Sequence, residues 1–256
     1  MLGACTKSKP YMLITEYVPG GSLAALNTYS TRPTLRRVLE ISLDIARGMA
    51  YLHSTAKGII HRDLKPSNIL VGGSYHNTSY ELIMHTGIIK IGDFGLSKSL
   101  AADKEEESAS FQLTGGTGSY RFMAPEVFRH EPYNNVVDVY SFAMIMYQLI
   151  EGVVPYHGTK PIQAAVDAAR QGRRPEWRLL FEVEKKHPEI AQKARAFIEQ
   201  CWGADPATRP NFVAICLTLE EMLTMVPEDR AWGAKDLRGV GEGEEREEAA
   251  CKCTVM

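Results

Sequence analysis

Four side chains in this sequence have the types that moving a phosphoryl group requires. Asp63, Lys65 and Asn68 stand in the run His61-Arg62-Asp63-Leu64-Lys65-Pro66-Ser67-Asn68, and Asp93 opens Asp93-Phe94-Gly95. Phosphoryl transfer asks for positioning and charge neutralisation more than for covalent chemistry by the protein. Hard cations must hold a triphosphate, and such ions take oxygen ligands, which Asn68 and Asp93 supply. The carboxylate of Asp63 can accept the proton of an incoming hydroxyl. The ammonium of Lys65 can sit near the transferring phosphate. Taken singly, each residue is more often a solvated loop residue. The spaced set, followed by Ala124-Pro125-Glu126, is what points to chemistry.

The elements that must carry this set read as follows. Tyr11 to Val18 is β-branched and aromatic and ends at Pro19-Gly20-Gly21, which predicts a strand running into a turn, with Leu13 and Ile14 in core packing. Leu35, Val38, Leu39, Ile45, Met49 and Leu52 recur at helical spacing and predict a long amphipathic helix. Ile88 to Ile91 predicts a short strand, and the polar stretch from Ser99 to Gly118 a long loop. Val137 to Glu151 is apolar nearly all round and predicts a central buried helix. Pro161 to Gln171, Ile190 to Trp202 and Phe212 to Met225 predict amphipathic helices. After about Glu228 the sequence turns polar and Glu-rich, which predicts a disordered tail. The fold class is α+β, with a little strand followed mostly by helix.

Composition narrows the setting. With a net charge of -2, nothing in the composition asks for a nucleic-acid partner, which usually needs a basic face. No stretch approaches the roughly 20 apolar residues that span a bilayer, and the N-terminus lacks the basic start and apolar run of a signal peptide. Cys5, Cys201 and Cys216 sit among apolar residues and read as reduced core thiols of a cytoplasmic protein.

The three motifs, in this order, identify the chain as similar to the eukaryotic protein kinases. The resemblance runs from Leu2 to about Val226. Leu2-Gly3-Ala4-Cys5-Thr6 and Leu13-Ile14-Thr15-Glu16-Tyr17-Val18-Pro19-Gly20-Gly21-Ser22-Leu23 resemble the fourth and fifth strands and the hinge of tyrosine-kinase-like kinases of the Raf-like and plant MAP-kinase-kinase-kinase type. The resemblance implies ATP and Mg2+ as cofactors and a protein serine or threonine as substrate. By it Thr15 is the gatekeeper, backbone groups of Glu16 and Val18 face adenine, and Leu70 forms the floor beneath the ring. Lys65-Pro66-Ser67-Asn68, and Thr117 as the hydroxyl that bonds the catalytic Asp and Lys, favour the serine/threonine class. Asp138 would hold the catalytic-loop backbone from the central helix, and Glu126 would pair with Arg209. Thr114, Thr117, Ser108 and Ser110 are candidate phosphorylation sites for an upstream kinase, with Arg62 as the natural phosphate partner; for the two serines, keeping the loop soluble is the simpler reading.

The chain also departs from that family. No Gly-rich loop before a strand, no Val-Ala-x-Lys strand and no Lys-pairing Glu helix occur in it. Met1 falls where the family is already in its fourth strand, so the expectation is a shortened chain: residues 1–18 a remnant of the small lobe with the hinge, 19–227 the helical large lobe, 228–256 an acidic tail. Little kinase activity is expected of this polypeptide alone, and the competing readings are a pseudokinase or scaffold, or a lipid-anchored interaction module. Asn68 to Asp93 is longer than the family norm, with a polar insertion near Gly72 to Thr86. The tail ends Cys253-Thr254-Val255-Met256, which fits a prenylation box, with Cys251 as a second lipid site; membrane association is expected only through that tail.

Overall fold

The computed structural model describes residues 2–28, 33–56, 58–73, 87–99, 119–178, 180 and 188–226. The predicted insertion beyond residue 73, Ser108, Ser110, Thr114, Thr117, Cys251, Cys253 and the tail lie outside them.

The chain opens with an antiparallel ribbon. Strand β1 (Gly3–Cys5) pairs with β2 (Met12–Ile14), Gly3 opposite Ile14 and Cys5 opposite Met12. The strand expected over Tyr11 to Val18 is thus only three residues long. Leu13 and Ile14 are not core residues, being 63% and 53% exposed. The physical reason is that a two-stranded ribbon has no third layer to cover its faces. Cys5 is likewise only partly buried, with its thiol beside Ser8.

The body is helical. Helix α1 (Leu35–Ser54) starts at Thr34, whose side chain accepts a hydrogen bond from Arg37 N at 3.1 Å and satisfies one of the free N–H groups of the first turn. It lies antiparallel to the last helix, α6 (Phe212–Met225). At one end Arg36 Nη2 donates to Val226 O at 2.8 Å; at the other the His53 ring meets Phe212 edge-on at 5.1 Å. A short helix α2 (Pro125–Phe128) has proline at its first position, where the missing N–H costs nothing. Helix α3 (Val136–Glu151) is buried on every face, as its near-continuous apolar sequence requires. Helix α4 (Pro161–Gln171) packs against α2, and helix α5 (Pro188–Cys201) packs against α3. Among the described residues no helix is long and apolar enough to cross a membrane.

Two nested strand pairs create the site. Strand β3 (Ile59–Ile60) pairs antiparallel with β6 (Lys98–Ser99), and inside that pair β4 (Ile69–Gly72) pairs antiparallel with β5 (Ile88–Ile91). Ser99, read from the sequence as the start of a loop, therefore belongs to a strand. Nesting brings the connections 61–68 and 92–97 side by side. Helix α1 packs on β5 at Gly48, where a Cβ would come within 2.7 Å of Ile91 Cδ1, so a larger residue there would have to turn the end of the Ile91 side chain aside.

Of the cysteines, Cys201 on α5 is wholly buried, and burial pushes its thiol far up from the ordinary value. Native protein treated with iodoacetamide at neutral pH is expected to leave Cys201 unmodified until denaturant is added. Modification of Cys201 at the rate of Cys5 would contradict this packing.

Candidate active site

The site is built outward from Asp138, a fully buried carboxylate in the first turn of α3. Its Oδ2 accepts His61 N at 2.9 Å and its Oδ1 accepts Arg62 N at 2.9 Å. The Nε2–H of His53, from the end of α1, donates to Oδ2 at 2.9 Å. Three donors on one carboxylate satisfy a charge that would otherwise be too costly to bury. They also hold Arg62 in the left-handed region, φ 68°, where a non-glycine residue stays only if its surroundings force it. The His61 ring is fixed as well. Asp63 N donates to its Nδ1 at 3.3 Å, so its Nε2 carries the hydrogen and donates to Gly92 O at 3.0 Å. That bond ties the 61–68 connection to the one that carries Asp93.

The chemistry-bearing side chains converge just beyond. Lys65 Nζ donates to Asp63 Oδ2 at 2.7 Å, and Asn68 Nδ2 donates to the same oxygen at 3.0 Å and to Asp63 O at 2.8 Å. With its nitrogen committed to Asp63, Asn68 presents Oδ1 as an acceptor; the Ser67 hydroxyl lies 3.4 Å from it. Gly92 N donates to Asn68 O at 2.8 Å, which sets Asp93 beside Asn68 in the fold. Asp93 is exposed and left-handed, φ 59°, and its Oδ1 accepts Gly95 N at 3.2 Å. Lys65 Nζ also donates to Ser119 Oγ at 2.9 Å.

The donor chemistry fits magnesium. Among the described residues no cluster of three or more His, Cys, Asp or Glu is placed to hold a metal. Magnesium binds through one or two protein oxygens and takes its other ligands from phosphates and water, which is what an amide oxygen at 68 and a carboxylate at 93 offer.

The other residues singled out by sequence fall around this centre. Thr15, Glu16 and Val18 follow β2, the first two exposed and Val18 half-buried, and the Glu16 carboxylate pairs with the Lys90 ammonium of β5. Leu70 is half-buried in β4, opposite Lys90 on one side and bridged to Ser22 on the other. Arg62 donates from Nε to Leu96 O and from Nη1 to Tyr133 Oη at 3.3 Å. Arg209 and Glu126 form a buried two-bond pair, at 2.5 and 3.0 Å. Thr117, which the resemblance implies as the partner of Lys65, lies outside the described residues. Ser119 makes that contact, and sequence reading missed it because nearby hydroxyls on a polar segment carry no distinguishing spacing. His53 was missed too; its only signal was a histidine closing an apolar helix stripe.

Comparison with known proteins gives the same picture. A family model described as protein tyrosine and serine/threonine kinase matches residues 1–219. The serine/threonine-protein kinase VIK of Arabidopsis thaliana is 41% identical over 232 residues, covering 91% of this chain and 48% of that protein. The serine/threonine-protein kinase STY17 of the same plant is 34% identical over 89% of this chain and 35% of its own length. The serine/threonine/tyrosine-protein kinase HT1, also from that plant, is 36% identical over 86% and 49% respectively. The chain thus spans at most about half the length of these curated relatives. By this match and these motifs the chain belongs to the eukaryotic protein kinases, in the tyrosine-kinase-like group, and its α+β fold is that family's fold with the helical lobe dominant.

Proposed function

We propose that this chain carries the catalytic half of a protein serine/threonine kinase that transfers the γ-phosphoryl group of ATP to a protein hydroxyl. The observation that carries the reading is the convergence of Lys65 and Asn68 on one oxygen of Asp63, with Asp93 on the adjoining connection. Asp63 has its Oδ2 held by two donors, which aims the carboxylate; it accepts the proton of the acceptor hydroxyl. Lys65 offers its ammonium to the developing charge. Asn68 and Asp93 would hold magnesium through Oδ1 and the carboxylate, and bound Mg-ATP supplies the phosphoryl group and neutralises its charge. Ser119 keeps Lys65 in place by accepting a second hydrogen bond from its ammonium. Thr15 to Val18 and Leu70 would flank the adenine.

These 256 residues contain no Gly-rich loop before a strand and no Val-Ala-x-Lys strand. A polypeptide of this sequence alone would therefore bind Mg-ATP without a cover over the phosphates and transfer little. The second reading is a scaffold that binds partners without turnover. Differential scanning calorimetry separates them. At about 100 times its dissociation constant, Mg-ATP is expected to stabilise the protein by about 2.7 kcal/mol, a rise of roughly 5–10 °C in melting temperature. Asp93→Ala should remove the magnesium-dependent part. A melting temperature indifferent to Mg-ATP would sink the enzyme reading; robust radiolabel transfer by this polypeptide would refute the expected low activity.

A further inference from the structure

The hydroxyl that meets Lys65 is delivered by a single 3-10 turn, Ser119–Arg121, closed by Phe122 N donating to Ser119 O at 3.0 Å. Beside the edge-on contact of Tyr120 with Phe128 at 6.4 Å and the bond from Ser141 Oγ to Phe122 O, one side chain ties that turn to the 155–159 loop. Arg121 Nη1 donates to Pro155 O at 2.7 Å and to Tyr156 O at 2.9 Å, and Nη2 donates to Thr159 O at 2.5 Å. Three carbonyls on one guanidinium use the planar fork in a way an ammonium cannot copy. Burial lowers the Arg121 pKa from its ordinary value, as expected of a cation drawn out of water to reach carbonyls and not a carboxylate.

The receiving loop is itself anchored in the core. Tyr156 is buried and left-handed, φ 55°, and its hydroxyl donates to Arg173 O at 3.1 Å. That leaves the Tyr140 hydroxyl, wholly buried on α3, to donate to Tyr156 Oη at 3.3 Å. A continuous series of contacts therefore runs from α3 through Tyr156 and Arg121 to Ser119 and Lys65.

We propose that Arg121 is a positioning residue for the transfer reaction: by pinning the 119–121 turn to the 155–159 loop it places the Ser119 hydroxyl against the Lys65 ammonium. The word transfer rests on the kinase reading above; the placement of Lys65 does not, and it can be measured without turnover. Lysine acylation by a water-soluble N-hydroxysuccinimide ester reads how firmly each ammonium is held. In the full chain, Lys65 labelling is followed by mass spectrometry relative to the exposed Lys7. Arg121→Ala is expected to speed Lys65 labelling about tenfold, the loss of roughly one charge-assisted hydrogen bond's worth of local order. Arg121→Lys should give a smaller rise, because one ammonium recovers part of the set. Arg129→Ala, which removes a guanidinium bonded to Ala169 O on the far side of α2, should leave Lys65 unchanged. Unchanged Lys65 labelling in either folded Arg121 variant overturns the proposal, as does an equal rise in Arg129→Ala. Should Arg121→Ala fail to melt cooperatively, Arg121→Lys alone decides. A chain whose stability ignores Mg-ATP would refute the kinase reading while leaving this labelling result intact.

Discussion

Replacing Arg209 by alanine is expected to lower stability by about 3–5 kcal/mol, a fall of about 10 °C in melting temperature. Both partners of the pair are shut off from water, at 0% exposure for Arg209 and 3% for Glu126. Arg209 also donates to Gly203 O at 3.1 Å and to Val136 O at 3.3 Å, and its guanidinium lies 5.2 Å from the centre of the Tyr140 ring. Deleting it leaves the Glu126 carboxylate buried without its two bonded donors, with Arg129 acting on it only through space, and that buried charge, not the lost attraction, dominates the cost. The double change Glu126→Met with Arg209→Met should therefore recover much of the loss, because nothing charged stays behind. An unaltered melting temperature in Arg209→Ala, or a double variant worse than the sum of the singles, would show that the pair does not work this way.

The second large effect is expected at Asp138. Asparagine there keeps the shape but offers a single acceptor oxygen, and its NH2 would face either His61 N–H or Arg62 N–H. One buried donor is lost to solvation and another is opposed, a cost of about 3 kcal/mol. The damage should be local. Amide exchange at His61 and Arg62 is expected to quicken about a hundredfold, and stabilisation by Mg-ATP to vanish with the geometry of Asp63 and Lys65. Exchange at those two amides matching the wild type would contradict the assignment of Asp138 as their anchor.

Much of the helical body can be read directly from apolar spacing. Pro161–Gln171 and Phe212–Met225 begin and end where their sequence patterns do, since proline and Asn211 mark the starts and the apolar stripe marks the extent. The all-round apolar run of α3 likewise announces a helix with no face to spare. The first strands are less legible. The propensity of Tyr11 to Val18 is real, but strand formation depends on what the side chains pack against, and among the described residues β2 pairs with β1 alone. The site divides in the same way. Asp63, Lys65, Asn68 and Asp93 are recognisable by type and spacing. Their support is not, because it is non-local: His53 and Asp138 are 85 residues apart, and Lys65 and Ser119 are 54 apart. No local pattern states which of several hydroxyls, or which helix-end histidine, closes such a contact.

The first two turns of α3 take up four separate attachments: Val136 O receives Arg209, Asp138 takes the 61–62 backbone, Tyr140 reaches Tyr156, and Ser141 Oγ donates to Phe122 O at 2.8 Å. The 61–62 backbone and the residue that closes the 119–121 turn thus share one short datum, a stretch of helix about 8 Å long, so the spacing between Lys65 and Ser119 is referred to a single rigid rod.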